Sequence, residues 1–299
     1  MLQAYKYSKM NIAINKHNHD NIIEITIEND NVIITQPTNN HTFKGREFNV
    51  KTFLQEVCNW GDSTINLKFN FNLDDSDLTK DINNSGIFAF SRSINHIQIL
   101  MPDMYAMGDY DKKLEYIDNM NWNNKYHKAI FIGSSTGNYN PVYNKRLQLC
   151  NYFLNYNDIK CYISHICQIS ENNIANTYPD YKNFMHNMLS IEKQLKYKFV
   201  ISVDGNTTAW DRVPWILNSK SVLLKQKSND ECWYYDLLIP DVHFIEFDHP
   251  SEIIDIIANT TQEKYEYIVN NANNFVNDYL TFEKQRRYAA YLLYYCSIK

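Results

Sequence analysis

AIFIGSSTG (Ala129–Gly137) and FVISVDGN (Phe199–Asn206) are the two stretches that decide the fold of this chain. Each is a short run of apolar residues that stops on glycine and small polar residues, the pattern of a strand followed by a tight turn. Between them the sequence predicts a helix around Lys145–Tyr156, a strand at Lys160–Ile163 and a helical stretch ending near Lys196. Beyond the second turn come a helix around Asp211–Asn218, a strand SVLLK (Ser221–Lys225), a short helix at Glu231–Leu238 and a strand HFIEF (His243–Phe247). Strands and helices alternating in this way imply a Rossmann-like parallel sheet.

On the C-terminal side the pattern turns helical. Ser251 is a candidate N-cap, and Tyr265, Ile268, Val269, Ala272, Phe275 and Val276 follow at spacings of three and four. A last helix, Glu283–Tyr295, is rich in Tyr and carries Arg286 and Arg287. Such a stripe reads as core packing, crossing back onto the first domain, in preference to a membrane face. On the N-terminal side, IIEITIE, NDN and VIITQ read as a β-hairpin, because β-branched runs flank a polar tight turn. VKTFLQEVCNW then has helical spacing, and INLKFNF, GIFAF and IQILM are further short strands. Gly108–Lys128, with Leu114 and Ile117 at helical spacing, reads as a connection between domains. The expected division is residues 1–125, residues 126–275 with the Rossmann-like sheet, and a terminal helix in 276–299.

The composition narrows the function. Hydrophobic residues at 44% and charged residues at 21% predict a globular chain, and 299 residues are enough for two cores. A net charge of -5 lacks the basic footprint of a nucleic-acid binder. No window is long and apolar enough to span a bilayer, and the first residues lack the apolar core of a signal peptide, so the sequence points to the cytoplasm, viral or host. The six cysteines form no CxxC pair and read as buried free thiols. Heavy use of Asn, Ile, Tyr and Lys reads as AT-rich coding bias, which suits a virus or a protist.

Both turns directly follow strands of the expected sheet, so their backbone N–H groups would face a cleft where a diphosphate can approach. Gly133, Ser134 and Thr136 in the first, and Asp204 and Gly205 in the second, are therefore candidates for ligand contact, with Ser135 adding a hydroxyl. No GxGxxG follows a strand, which argues against a dinucleotide-dependent dehydrogenase or epimerase. His17-Asn18-His19-Asp20 has metal-ligand chemistry but reads as a polar terminal stretch.

The run Lys196–Asp248 resembles glycosyltransferase family 90, which includes CAP10-like, lipopolysaccharide-modifying and protein O-glucosyltransferases. The resemblance rests on five ordered blocks: Asp204-Gly205-Asn206, Arg212 before an apolar helix, SVLLKQ (Ser221–Gln226), ECWYYDLL (Glu231–Leu238) and PDVHF (Pro240–Phe244). GIFAFSRS (Gly86–Ser93), MPDMY and NWNNKYHKAIFIGSSTG extend it upstream, so that it covers roughly Asn70 to the C-terminus. One position departs from the family pattern. Ile132 stands where the family has an Arg before the Gly, and Arg146 is a candidate replacement.

The resemblance implies a GT-B-like fold, two Rossmann-like domains facing a cleft, with C-terminal helices. It also implies inverting transfer of a sugar, glucose or xylose, from a UDP-sugar to a glycan or protein hydroxyl, with no cofactor and no essential metal. Arg212 would hold the diphosphate, Lys225 would sit near phosphate and Glu231 would accept from the ribose hydroxyls. Trp210, Trp215 and Trp233 are candidates to stack on uracil or sugar, with Trp215 favoured for the buried face of its helix. The family places its base after the strand matched here by NLKFNF, which selects Asp74 over Asp75, with Asp77 behind them. A catalytically inactive sugar-nucleotide or glycan-binding protein of the same fold remains the alternative.

Overall fold

Asn29 and Asp30, at φ 47° and 65°, close a two-residue turn between β1 (Ile22–Glu28) and β2 (Asn31–Gln36). Both central residues are left-handed, and this turn geometry matches the twist of the strands it joins. In the computed structural model, which describes residues 20–60, 64–75, 86–107 and 118–298, this hairpin opens the first of two units. The first unit comprises Met1–Lys113, Asn229–Asp236 and Asp278–Lys299, and the second Leu114–Ser228 and Leu237–Asn277.

Helix α1 (Lys44–Cys58) buries Val50, Phe53, Leu54 and Val57. Its Gln55 clamps the hairpin, accepting from Val32 N at 3.0 Å and donating to Asp30 O at 2.8 Å. β3 (Leu67–Asn72) pairs antiparallel with β1, whereas β4 (Phe88–Ala89) and β6 (Ile99–Leu100) continue the sheet parallel to β3, in the order β2-β1-β3-β4-β6. The first unit is thus a mixed sheet, antiparallel at the hairpin expected from the sequence and parallel from β3 through β4 to β6. β5 (Arg92–Ser93) lies outside this sheet and pairs with a later strand.

The second unit holds β7 (Tyr126–Gly133), α2 (Lys145–Tyr152), β8 (Ile159–Ile163), α3 (Glu171–Thr177), β9 (Tyr197–Ser202), α4 (Arg212–Leu217) and β10 (Val222–Gln226). The chain next forms β11 (Asp230–Glu231), which pairs with β5 of the first unit, and then β12 (Ile245–Phe247) of the second. The sequence predicts a helix over Glu231–Leu238 in the second domain. The structure instead places a two-residue strand and a single 3-10 turn there, and Asn229–Asp236 belongs to the first unit. Its Asp230–Glu231 backbone finds a strand partner in β5, which satisfies its N–H and C=O groups as a helix would have done.

The sheet order β12-β10-β9-β7-β8 is parallel throughout. β7 is first in sequence and lies between β8 and β9, so the connections diverge on its two sides. Ligands of open parallel sheets bind outside the carboxyl ends of the strands at such a point. One face packs Phe131, Phe199, Ile201, Leu224 and Phe247 against Leu147, Cys150 and Phe153 and against Ile253 and Ile257 of α5 (Glu252–Asn259). Each such large side chain contributes roughly 1.5–3 kcal/mol by leaving water. Ser251, expected to cap α5, makes no capping bond; the Glu252 carboxylate accepts the His249 N–H at 2.8 Å instead.

Helix α6 (Gln262–Phe275) runs through a π-helical turn, Val276–Leu280, into α7 (Phe282–Ser297). In α7, Arg286 pairs with Glu56 at 2.6 Å, and the Tyr288 hydroxyl donates to Leu100 O at 2.8 Å. The helix therefore buries Tyr288, Ala289, Leu292, Leu293 and Cys296 in the first unit, while Tyr291 stays exposed. No helix among the described residues is long and apolar enough to cross a membrane. Leu114, Ile117, His17 and His19 lie outside the described residues.

Near the start of β7, Lys125 is wholly enclosed. Its ammonium donates to Asp118 at 2.7 Å, to the Ser221 hydroxyl at 3.0 Å and to Leu195 O. Burial lowers its pKa, and Asp118 opposes that shift. Lys125→Met would leave Asp118 buried without its cation, a change that costs about 3–5 kcal/mol. Denaturant unfolding of the variant should show a loss of that size, and an unchanged midpoint would contradict the role given to this pair.

Candidate active site

β7 ends on Gly133, and the turn beyond it is tied down from three sides. The Ser135 hydroxyl donates to Cys167 O and accepts from Cys167 N, both at 2.8 Å, in the loop after β8. Ser135 is fully buried, so its hydroxyl is a structural tie and not the extra ligand donor expected from sequence. Asn144, also fully buried, donates to Ser135 O and Asn138 O while its carbonyl oxygen caps α2 at Leu147 N. Gly137, at φ 131°, donates its N–H to Asn206 Oδ1 at 3.1 Å, which links the first turn to the second. Ser134 and Thr136 remain half-exposed, their hydroxyls 3.1 Å apart.

Two guanidinium groups lie beneath these turns. Arg146, two residues past the Asn144 cap, donates to Thr136 Oγ1 at 2.5 Å, Ser134 O at 3.2 Å, Val203 O at 3.1 Å and Asp204 O at 3.2 Å. Arg212, the first residue of α4, donates to Ile132 O and, at 3.5 Å, to Ile201 O. A Cβ placed on Gly133 would sit 3.4 Å from Arg212 Nη2 and 3.7 Å from Arg146 Nη1, so the two cations meet at one point. Both also flank the Phe131 ring, at 5.1 Å for Arg212 and 6.0 Å for Arg146.

The electrostatics leave two cations side by side at these turns. Arg212 is pushed down to about 10, first by burial and then by the neighbouring Arg146 charge, with Asp211 opposing. Burial also lowers the Arg146 pKa, against the pull of Asp204. A lowered pKa in a base means that the charged form is disfavoured where it sits. Both groups stay cationic at neutral pH, so the fold keeps two positive charges together at the ends of β7 and β9. An anion placed there would relieve both.

Asp204 shapes the second turn, its Oδ1 accepting the Ala209 N–H at 3.2 Å. Gly205 is required by space: a Cβ there would lie 2.7 Å from Thr136 Oγ1 and 3.1 Å from Arg146 Nη2. Lys225 is buried at the carboxyl end of β10, in register with Ser202 of β9. The structure thus brings Gly133, Ser134, Thr136, Asp204, Gly205 and Arg212 together around Arg146, with Lys225 on a neighbouring strand.

Glu231 belongs to the first unit. There its carboxylate accepts from Arg92 Nε at 3.1 Å and pairs with Arg92 Nη2 at 3.0 Å, and Arg92 also donates to Gln98 O. Burial and Asp236 raise its pKa against the opposing pull of Arg92. That carboxylate holds β11 against β5. Trp233 has its ring stacked on Tyr288 at 4.3 Å and 23°. Trp215 is buried with its helix, as its spacing predicts, and Trp210 is buried as well.

Asp74 follows β3 in the first unit. Its N–H is held by Asn72 Oδ1 at 3.0 Å, and its Oδ1 accepts the Asp75 N–H at 2.7 Å. Asp75 differs, its carboxylate paired with Arg46 at 2.5 Å while Arg46 also donates to Leu73 O. Asp77 lies outside the described residues.

The model of the family described as Glycosyl transferase family 90 matches residues 5–297. Over 132 residues, 42% of this chain, the sequence is 32% identical to uncharacterized protein 035R of Invertebrate iridescent virus 3, and that match spans 12% of the viral protein. Among solved structures, TarM is similar with a TM-score of 0.42 and 12% identity, over 70% of this chain and 39% of TarM. The C-terminal domain of LpcC, a glycosyl transferase group 1 family protein of Francisella tularensis, is similar with a TM-score of 0.34 and 10% identity, over 60% of this chain and 94% of that domain.

The packing of the two turns predicts opposite outcomes at two glycines. Gly205→Ala must push Thr136 and Arg146 aside and should destabilise the protein by about 1–3 kcal/mol. Gly45→Ala, where a Cβ meets nothing within 4 Å in α1, should leave stability unchanged or raise it by less than about 1 kcal/mol. Thermal melts of both variants check this, and equal melting temperatures would show that the turns are not in contact as described.

Proposed function

The chain belongs to glycosyltransferase family 90 and has two α/β units, and from that premise we propose that it is a GT-B-like enzyme that transfers glucose or xylose from a UDP-sugar to a hydroxyl of a glycan or protein acceptor. The observation that carries the donor half of this reading is the meeting of Arg146 and Arg212 at Gly133, beneath two turns of small residues. A diphosphate is the anion that suits it. Planar guanidinium groups bind phosphate oxygens through paired N–H bonds, and the backbone of the turns leaves room for close approach. Ile132 takes the place of the arginine that the family carries before this glycine, and its side chain is fully buried. Arg146 brings a guanidinium to the same turn from α2, so the substitution does not remove the charge.

The proposed reaction inverts the anomeric centre. The acceptor oxygen attacks the anomeric carbon from the face opposite the diphosphate, the bond from that carbon to the β-phosphate oxygen breaks, and UDP leaves with the electron pair. Negative charge grows on the diphosphate as the bond breaks, where Arg212 and the turn N–H groups stabilise it. The acceptor proton goes to a carboxylate, assigned here to Asp74. Asp75, whose carboxylate pairs with Arg46, is the second candidate. Lys225 adds a point charge near the phosphates. No metal is required in this scheme, since the arginines supply the positive charge.

UDP release from UDP-glucose and UDP-xylose, measured with and without EDTA, tests the reaction. Release in the presence of EDTA is expected, and Arg212→Ala should weaken UDP binding by at least about tenfold, the scale of a lost charge-assisted contact. Release that depends wholly on added metal, or UDP binding unaltered in the variant, would contradict the proposal.

Asp74→Asn keeps shape and hydrogen bonding but cannot accept a proton. Transfer should fall by roughly a hundredfold or more, the scale of general-base catalysis, while UDP affinity stays as it was. Asp75→Asn serves as the comparison and should retain most transfer. Normal transfer by Asp74→Asn with loss in Asp75→Asn would move the role by one residue, and normal transfer by both would remove it from this loop.

A further inference from the structure

The chain leaves the first turn at Gly137 and passes directly into a surface groove of about 470 Å³ lined by Tyr139, Asn140, Pro141, Asn173, Asn176 and Thr177. The volume is within the range of small-ligand sites, about 300–1,000 Å³. The groove lies wholly in the second unit, between the Pro141–Tyr143 3-10 turn and α3. Its walls are well fixed. Asn140 caps the 3-10 turn through Val142 N at 3.0 Å, and the Tyr178 hydroxyl donates to Pro141 O at 3.1 Å.

Three features of the lining define what it can bind. Tyr139 is 69% exposed, and Tyr143 on the same turn is 65% exposed. Such rings are large apolar surfaces held at a fixed place beside polar groups, and each Tyr adds a hydroxyl. Asn173 and Asn176, one helical turn apart on α3, present side-chain amides that form no hydrogen bond among the described residues. Each amide offers two donors and an acceptor with two lone pairs, which matches vicinal hydroxyls. Finally, none of the six lining residues is charged. Anionic and cationic ligands therefore gain nothing there, whereas a molecule with a C–H face and a rim of hydroxyls matches ring and amides together.

We propose that this groove binds a neutral oligosaccharide, and this glycan binding does not depend on the transferase reading given above.

The test uses the full chain and a panel of neutral tetraoses of glucose, xylose, mannose, galactose and N-acetylglucosamine. Binding is followed by saturation-transfer NMR and titration calorimetry for the wild type, Tyr139→Ala and the double variant Asn173→Ala/Asn176→Ala, with UDP titrated in the same preparations. At least one tetraose should bind the wild type, with affinity falling about tenfold or more in both variants, equivalent to about 1.4 kcal/mol. UDP affinity and melting temperature should be unchanged. Failure of every tetraose to bind, or equal binding by wild type and both variants, overturns the proposal. UDP binding without tetraose binding would remove the groove and leave the donor reading intact. Tetraose binding lost in the variants, with UDP inert, would keep the groove as a glycan site and remove the donor reading.

Discussion

The second unit is organised around two half-buried cations, Arg146 and Arg212, which form no salt bridge to a carboxylate among the described residues. Arg146 and Arg212 both give N–H groups to main-chain carbonyls at the ends of β7 and β9, and both approach Gly133. Carbonyl dipoles can orient a guanidinium but do not cancel its charge, so the pair holds its geometry and stays electropositive. The turns are shaped by the same contacts. Arg146 spans from Ser134 and Thr136 of one turn to Val203 and Asp204 of the other, and glycine at 205 is the only residue that fits beneath it without displacing Thr136. Stability and proposed ligand binding therefore depend on the same arginine. Replacing it would loosen the site as well as discharge it.

In the first unit, a second arginine pair of a different kind does structural work. Arg92 and Glu231 are both buried, and their ion pair joins β5 to β11, while Trp233 stacks on Tyr288 of α7. A short excursion of the chain is thereby fixed to the first unit between two strands of the second. Burial of an ion pair costs desolvation that only good geometry offsets. Here the guanidinium meets the carboxylate through two nitrogens and also reaches Gln98 O, so both partners are well satisfied.

Much of the parallel sheet was legible because its strands are apolar on both faces and end on Gly-containing turns. The hairpin was legible for a related reason, since Asn29-Asp30 is a pair that tolerates left-handed backbone. The family was legible from five short blocks in order. What escaped reading depends on partners distant in sequence. Glu231 looked like the first turn of a helix, and its true partner, Arg92, lies 139 positions away. Arg146 entered from the sequence only as a replacement for the arginine absent at Ile132, and its bridge between the two turns rests on partners 57 and 58 positions away. The directions of β4 and β6 in the first sheet were not legible, because short apolar runs do not reveal strand direction.

The central claim is that the Arg146–Arg212 pair is a diphosphate site, and calorimetric titration of uridine, UMP and UDP into the intact chain at fixed ionic strength tests it most directly. The account predicts that affinity rises with each phosphate, UDP exceeding uridine by about tenfold to a hundredfold, because charge-assisted hydrogen bonds contribute roughly 1.5–3 kcal/mol. Raising the salt concentration should reduce that advantage only in part, since the cations are half-buried and so only partly screened. Uridine binding as tightly as UDP, or no binding by any of the three, would contradict it.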